Sequence, residues 1–235
     1  MTPLGATRQF GERLKGAIAR RSLARAHARM NFFLREVSGV IHVGGHLGEE
    51  RDIYAERGLS VFWVEPNPEL FSQLEKAIAG YPNQRASQDL LMDADGQKYE
   101  FHISSNNGES SSVLEIAAHK EIWTKVSYVK TIPLTGTTLS ALVKREKLDL
   151  LRYDSLVMDT QGSELRVLKG AVDILDRFKF IKTEVADFEM YKDCCRLSDM
   201  DEFLNQHHFR RVKTWAFVRK AGVGSVYDAV YSRNA

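Results

Sequence analysis

Two places in the sequence carry residue types suited to holding a nucleoside. The first is Gly44-Gly45-His46-Leu47-Gly48, where glycines permit positive φ and let a ligand approach the backbone closely. The second is Glu65, seventeen residues after Gly48, where a carboxylate can accept both hydroxyl hydrogens of a ribose. Each also has a plain structural use. Glycines make tight turns, and an acid before Pro66 stabilises a helix N-terminus by about 0.3 to 1 kcal/mol. Asp93 is suited to take an amino hydrogen from an adenine, or to prepare the turn at Asp95-Gly96. Counted from Gly44, a G-x-G-x-x-G dinucleotide fingerprint finds His46 where its second glycine should stand. A pyrophosphate-hugging loop is therefore disfavoured against a phosphate-free nucleoside such as S-adenosylmethionine. An NAD(P)-dependent oxidoreductase stays as the alternative enzyme, and a donor-binding module without catalysis as the non-enzymatic one.

A second set of residues could move a proton or hold an acceptor. Asp159 follows an apolar run and is the first candidate for a catalytic or donor-binding carboxylate, its structural use being a helix cap near Gly162. Glu184 is the second candidate, and it could equally pair with Arg166 or Lys169. His119 is a candidate base because an unperturbed imidazole titrates near 6.5. Residues 104–112, rich in Ser, Asn and Gly, read as a long functional loop in which Asn107, Ser111 and Ser112 bind acceptor hydroxyls or close over a donor. Two carboxylates without a clear third ligand define no metal site, and none is expected.

These residues need a sheet to position them. From Val40, short apolar runs alternate with amphipathic stretches, the pattern of strands joined by crossover helices. Strands are expected at 40–43 and 61–64, with helices at 49–57 and 69–79 completing a right-handed βαβ unit. Residues 84–91 are a weaker strand, expected to pair with 97–103 as a hairpin through Asp95-Gly96. Residues 126–133 read as extended and 139–146 as a short helix. Strand 155–158 ends at Asp159 and leads to a helix over 162–174 with Leu165, Leu168 and Val172 on one face. A strand at 180–185 follows, then a helix from Ser198, with Asp201 resembling a capping pair, to Gln206. Strands at 212–218 and 226–231 close the fold. Ligands of such an α/β sheet bind at the carboxyl ends of its strands, where Gly44, Glu65 and Asp159 fall.

The 235 residues suit one large domain, and a hydrophobic fraction of 43% with 27% charged residues is that of an ordinary globular chain. A net charge of +2 does not call for a nucleic-acid partner. The positive charge is concentrated in residues 6–35, where Arg8, Arg13, Lys15, Arg20, Arg21, Arg25, Arg29 and Arg35 face one acid, Glu12. Residues 1–36 are thus expected to be a basic amphipathic helical extension that contacts the domain, an anionic partner or another subunit, with a single domain over 37–235. Cys194 and Cys195 are adjacent and make a poor structural disulfide, which suits a reducing compartment. With no apolar run of about 18 residues and no apolar leader, a cytoplasmic protein without a transmembrane segment is expected.

The residues resemble the FkbM-type methyltransferase family over about 40–209. Ile41 to Glu50 is similar to its first motif, Trp63 to Pro68 to its second, and Ser105 to Ser112 to a third. Met158-Asp159-Thr160-Gln161-Gly162-Ser163-Glu164, continuing to Val167-Leu168-Lys169-Gly170-Ala171, is similar to its D-x-[EQ]-G-x-E-x-x-V-L-K-G-A signature. The resemblance implies the class I methyltransferase sheet, Rossmann-like, with seven strands of which one in the last pair is antiparallel. It also implies S-adenosylmethionine as donor, bound by His42, Gly44, Gly45, His46, Gly48, Glu65, Pro66, Asp93 and Asp159. The signature adds Gln161 and Glu164 to the acceptor side. O-methylation of a hydroxyl on a small molecule, sugar or glycan is the activity implied. His42 departs from the wider superfamily, which has an acid there to help hold the methionine ammonium.

Overall fold

Strands that are apolar at nearly every position must be covered on both faces, and the first two show it: β1 (Gly39–Val43) and β2 (Ser60–Val64) are buried at all five positions. The computed structural model describes residues 30–234. After these come β3 (Gln84–Ser87), β4 (Leu90–Leu91), β5 (Lys98–Ser104), β6 (Tyr128–Thr137), β7 (Ser155–Met158), β8 (Phe180–Ala186), β9 (Phe209–Lys220) and β10 (Gly224–Arg233). Seven of them form one sheet in the order β3-β2-β1-β7-β8-β10-β9. The strands from β3 to β8 pair in parallel, and β10 runs antiparallel to both of its neighbours. This is the expected class I arrangement, with the reversed strand in the last pair.

The helices are α1 (Arg51–Glu56), α2 (Pro68–Ile78), α3 (His119–Ile122), α4 (Leu139–Arg145), α5 (Glu164–Lys169) and α6 (Leu197–Gln206). Ile41, Phe62, Leu156 and Ile181 pack on one face of the sheet against Leu142 of α4, Leu168 of α5 and Leu204 of α6. Val40, Val61, Trp63 and Val157 pack on the other against Tyr54 of α1 and Leu74 of α2. Strand alternation divides the two sets. Residues 1–29 of the expected basic extension lie outside the described residues. Met30, Phe33 and Leu34, within the expected extension, are buried in the second core cluster and so pack on the domain.

Three local expectations differ from the structure. The 84–91 strand is two strands in two sheets, and no 84–91/97–103 hairpin forms. β6 lies between β4 and β5 in a small three-stranded sheet, because its long run from Tyr128 outcompetes the local turn for both partners. The 162–174 helix stops at Lys169. Gly170 packs so tightly that a Cβ would stand 2.1 Å from the Met92 carbonyl oxygen, and Val172 is 47% exposed. The last helix begins at Leu197, where the Asp199 carboxylate accepts the Arg196 N–H at 2.8 Å; Ser198 and Asp201 are not its cap. Cys194 and Cys195 are free. Among the described residues no helix is long and apolar enough to cross a membrane.

Candidate active site

At the carboxyl ends of the central strands lies a cavity of about 400 Å³, bordered by the loops after β1, β2 and β7. Gly44, at φ +81, is where the first and third of these loops meet: a Cβ there would stand 1.9 Å from the Asp159 carbonyl oxygen. The Gly44 and Gly45 N–H groups both donate to the Val64 carbonyl, at 2.9 and 3.0 Å. The next donor, the His46 N–H, reaches Glu65 Oε2 at 2.9 Å, while the Asn67 N–H donates to Oε1 at 2.9 Å. Asn67 also caps α2 by accepting the Glu69 N–H at 3.0 Å, which explains why the acid is followed by Pro66-Asn67-Pro68. Glu65 is only 5% exposed, and burial pushes its carboxyl up to about 7 despite the two N–H donors. Each oxygen keeps a further lone pair for a ligand hydroxyl.

The glycine loop fits a nucleoside better than a pyrophosphate. His46 sits at φ 45, its Nδ1 2.7 Å from Glu49 Oε1 and its Nε2 3.2 Å from the Asn107 carbonyl. The hydrogen bond to Glu49 raises the imidazole pKa to about 9, so at neutral pH the ring is protonated and donates on both sides. It thereby ties the glycine loop to residues 104–112. Glu49 and Glu50 precede α1 and border the cavity, and since His46 offsets only Glu49, the approach keeps a negative charge that repels a phosphate where a dinucleotide would need attraction. A cradle without room for a Cβ, a buried carboxylate with spare acceptors and a phosphate-repelling helix start together suit an adenosine that carries no phosphate.

His42 has a packing explanation. Its ring stacks on Trp63 at 4.6 Å and 23°, Nδ1 is 3.1 Å from the Tyr54 hydroxyl, and burial lowers its pKa. A neutral ring therefore borders the cavity where the wider superfamily has an acid.

On the other side, strand register lines up the acids. Val43 pairs with Met158 and Met158 with Thr183; one residue further on, Asp159 stands beside Glu184, which pairs with Asp228, which pairs with Trp215. All four border the cavity. Asp159 is open to that cavity yet deep in the fold. Burial first, and the charge of Glu164 second, push its carboxyl up to about 7. Burial beside Asp159 and Asp228 holds Glu184 well above the usual carboxylate range. Asp159 Oδ1 accepts from Gln161 Nε2 at 2.6 Å, and Gln161 Oε1 accepts from the Tyr191 hydroxyl at 2.6 Å. This chain fixes the amide and leaves Oδ2 as the available oxygen.

Several expected residues lie elsewhere. Asp93 is exposed and accepts from the Tyr99 hydroxyl at 3.4 Å; because the sheet strand ends at Ser87, the acid reaching the cavity is Asp89, ion-paired to Arg145. Gly48 is outside the lining and is a packing glycine, with a Cβ only 2.8 Å from Leu74. His119 is 1% exposed, stacked on Trp123 at 4.6 Å and lowered to about 4 by burial, so it is a core ring rather than a base. Glu164 is 2% exposed and turned inward: its Oε1 accepts the Thr160 N–H at 2.7 Å and both oxygens approach the Gly162 N–H. It shapes the Asp159 loop rather than meeting an acceptor. Ser112 donates to the Gln161 carbonyl at 2.7 Å and Asn107 offers its carbonyl to His46, leaving Gly108, Glu109 and Ser111 of that loop on the cavity. Sequence reasoning missed Lys182, Asp228 and Trp215. For Lys182 the signal was there, a charged residue alternating with the buried Ile181 and Thr183.

Residues 42–211 match the family model described as the methyltransferase FkbM domain. The 2-O-methyltransferase NoeI of Sinorhizobium fredii (strain NBRC 101917 / NGR234) is 25% identical over 138 residues, which are 56% of this chain and 56% of that protein. The chain thus matches little more than half the length of that curated relative. Among solved structures, magnesium protoporphyrin IX methyltransferase (ChlM) of Synechocystis PCC 6803 superposes with a TM-score of 0.47 at 10% identity, covering 94% of this chain and 82% of that one. TrmK of M. capricolum gives a TM-score of 0.49 at 7% identity, covering 88% and 68%.

Proposed function

The chain belongs to the FkbM methyltransferase family, whose methyl donor is S-adenosylmethionine, and from that premise we propose that it methylates a hydroxyl of a sugar, glycan or glycosylated metabolite. The observation that carries this reading is the row Asp159, Glu184 and Asp228, placed in one cavity with the Gly44 loop and Glu65. An oxygen acceptor is also supported by the name of the relative, a 2-O-methyltransferase.

Gly44, Gly45, Glu65 and Pro66 would hold the donor's nucleoside, with Asp89 near its base. When bound, the donor supplies a methyl carbon made electrophilic by its sulfonium sulfur. The chain's own task is to present a nucleophile to it. A hydroxyl attacks poorly while protonated, and Asp159, titrating near 7, is matched to take its proton at Oδ2. Glu184, kept protonated by burial beside Asp159 and Asp228, spares Asp159 a second adjacent negative charge. Leu70, Leu91 and Phe101 give the cavity an apolar wall, which strengthens each of these interactions once a ligand fills it. Methyl transfer from tritiated donor to a panel of glycans tests the reading. Asp159→Asn should cut the rate by about 10²- to 10⁴-fold, and the wild-type rate should rise with pH through about 7 as Asp159 deprotonates. An equally fast mutant would show that Asp159 is not the base. Labelled product would exclude a binding module without catalysis.

A further inference from the structure

The donor's far end, opposite its nucleoside, is an α-amino acid, and His42 is neutral, buried and already hydrogen-bonded. Among the cavity-lining residues Lys182 is the lysine or arginine present, and the other cation, His46, is engaged by Glu49 and the Asn107 carbonyl. Lys182 shares a sheet row with His42, because His42 pairs with Val157 and Val157 with Lys182. From the β2 end that carries Glu65 to β8 is three strand steps, about 14 Å, on the scale of an extended nucleoside with an amino-acid chain. Its Nζ contacts are long, 3.4 Å to Asn31 Oδ1 and 3.7 Å to Asp228 Oδ1, for a side chain only 18% exposed. A half-buried ammonium held this loosely is held below its capacity of three donors.

We propose that Lys182 takes the carboxylate of the donor's amino-acid end, with the cavity carboxylate Glu50 left to face its α-ammonium and Asp159 left for the acceptor. The assignment rests on S-adenosylmethionine being the donor. It reads the amino-acid end from β8, beside a β1 whose His42 is neutral. It also explains a lysine in the interior of a sheet face, where neutralising Asp228 alone would not require a position on the cavity.

Calorimetric titration of the full chain with S-adenosylmethionine and with its decarboxylated analogue tests the proposal, for wild type, Lys182→Met and Lys182→Arg. The wild type should bind S-adenosylmethionine about tenfold or more tighter than the analogue, the worth of one charge-assisted contact. Lys182→Met should abolish that preference with the analogue's affinity unchanged, and Lys182→Arg should restore part of it. Equal losses for both ligands would make Lys182 a structural residue and overturn the proposal, as would an undiminished preference in Lys182→Met. 5′-Methylthioadenosine, which lacks the amino acid altogether, should bind wild type and Lys182→Met alike. If neither it nor S-adenosylmethionine bound the wild type, the donor reading itself would fall.

Discussion

Glu65 and Asp159 do opposite things with the same chemistry. Glu65 spends one lone pair of each oxygen on backbone N–H groups and so organises the loop it faces, whereas Asp159 is steadied at one oxygen and open at the other. Glu65→Ala should abolish S-adenosylhomocysteine binding and, by stranding two backbone donors, cost about 2 kcal/mol or more of stability in urea titrations. Both carboxyls titrate near 7 when folded, against about 4 in an unfolded chain. An acid whose pKa is raised by folding stabilises the fold below its unfolded pKa, and that contribution is lost as pH rises through its folded pKa. The melting temperature of the ligand-free protein should therefore fall between about pH 4 and 7. Asp159→Asn, which keeps an oxygen for Gln161, should melt a few degrees above wild type at pH 8 and level with it at pH 4. Cavity water limits the size of that difference. The resemblance marked Asp159, Gln161 and Glu164 together, but their division of labour was not legible. Nothing in the residue types says that Glu164 turns inward to hold the loop while Asp159 faces the cavity.

At the level of elements, the βα units were readable because a buried strand and its amphipathic helix announce themselves by composition and period. What each glycine between them packs against was not readable. Gly44 and Gly58 look alike in the sequence and both adopt positive φ, yet a Cβ at Gly44 meets the Asp159 carbonyl while one at Gly58 meets nothing within 4 Å. Gly58→Ala should accordingly cost about 1 to 2 kcal/mol of backbone strain. Gly44→Ala should cost about 3 kcal/mol or more, because β1 and the Asp159 loop must part. Urea midpoints of the two variants check this, and equal losses would deny the close approach. The failed hairpin has a related cause. Asp95-Gly96 does make a turn, with Gly96 at φ +78, but the choice of strand partner is made by β6, more than thirty residues away in sequence. Local turn chemistry could not report that competitor.

For the whole molecule, two cores on either side of one sheet leave the strand ends as the place where side chains can stay polar and approach a ligand. Saturating that cavity should stabilise the entire fold. S-adenosylhomocysteine at one hundred times its dissociation constant should raise the melting temperature by about 5 to 11 °C, whereas NAD at the same concentration should not. A shift with NAD would contradict the phosphate-repelling start of α1. The sequence by itself determined the sheet class, the glycine loop and the acid at Glu65, because these rest on local periodicity and on residues adjacent in the chain. It also pointed to Asp159 through the signature that runs to Ala171. Only the tertiary structure decided that Asp89 and not Asp93 borders the cavity, that His119 is core, and that Lys182, Asp228 and Trp215 share the cavity with Asp159. Those facts depend on register between strands distant in sequence, and one residue of register exchanges cavity for core.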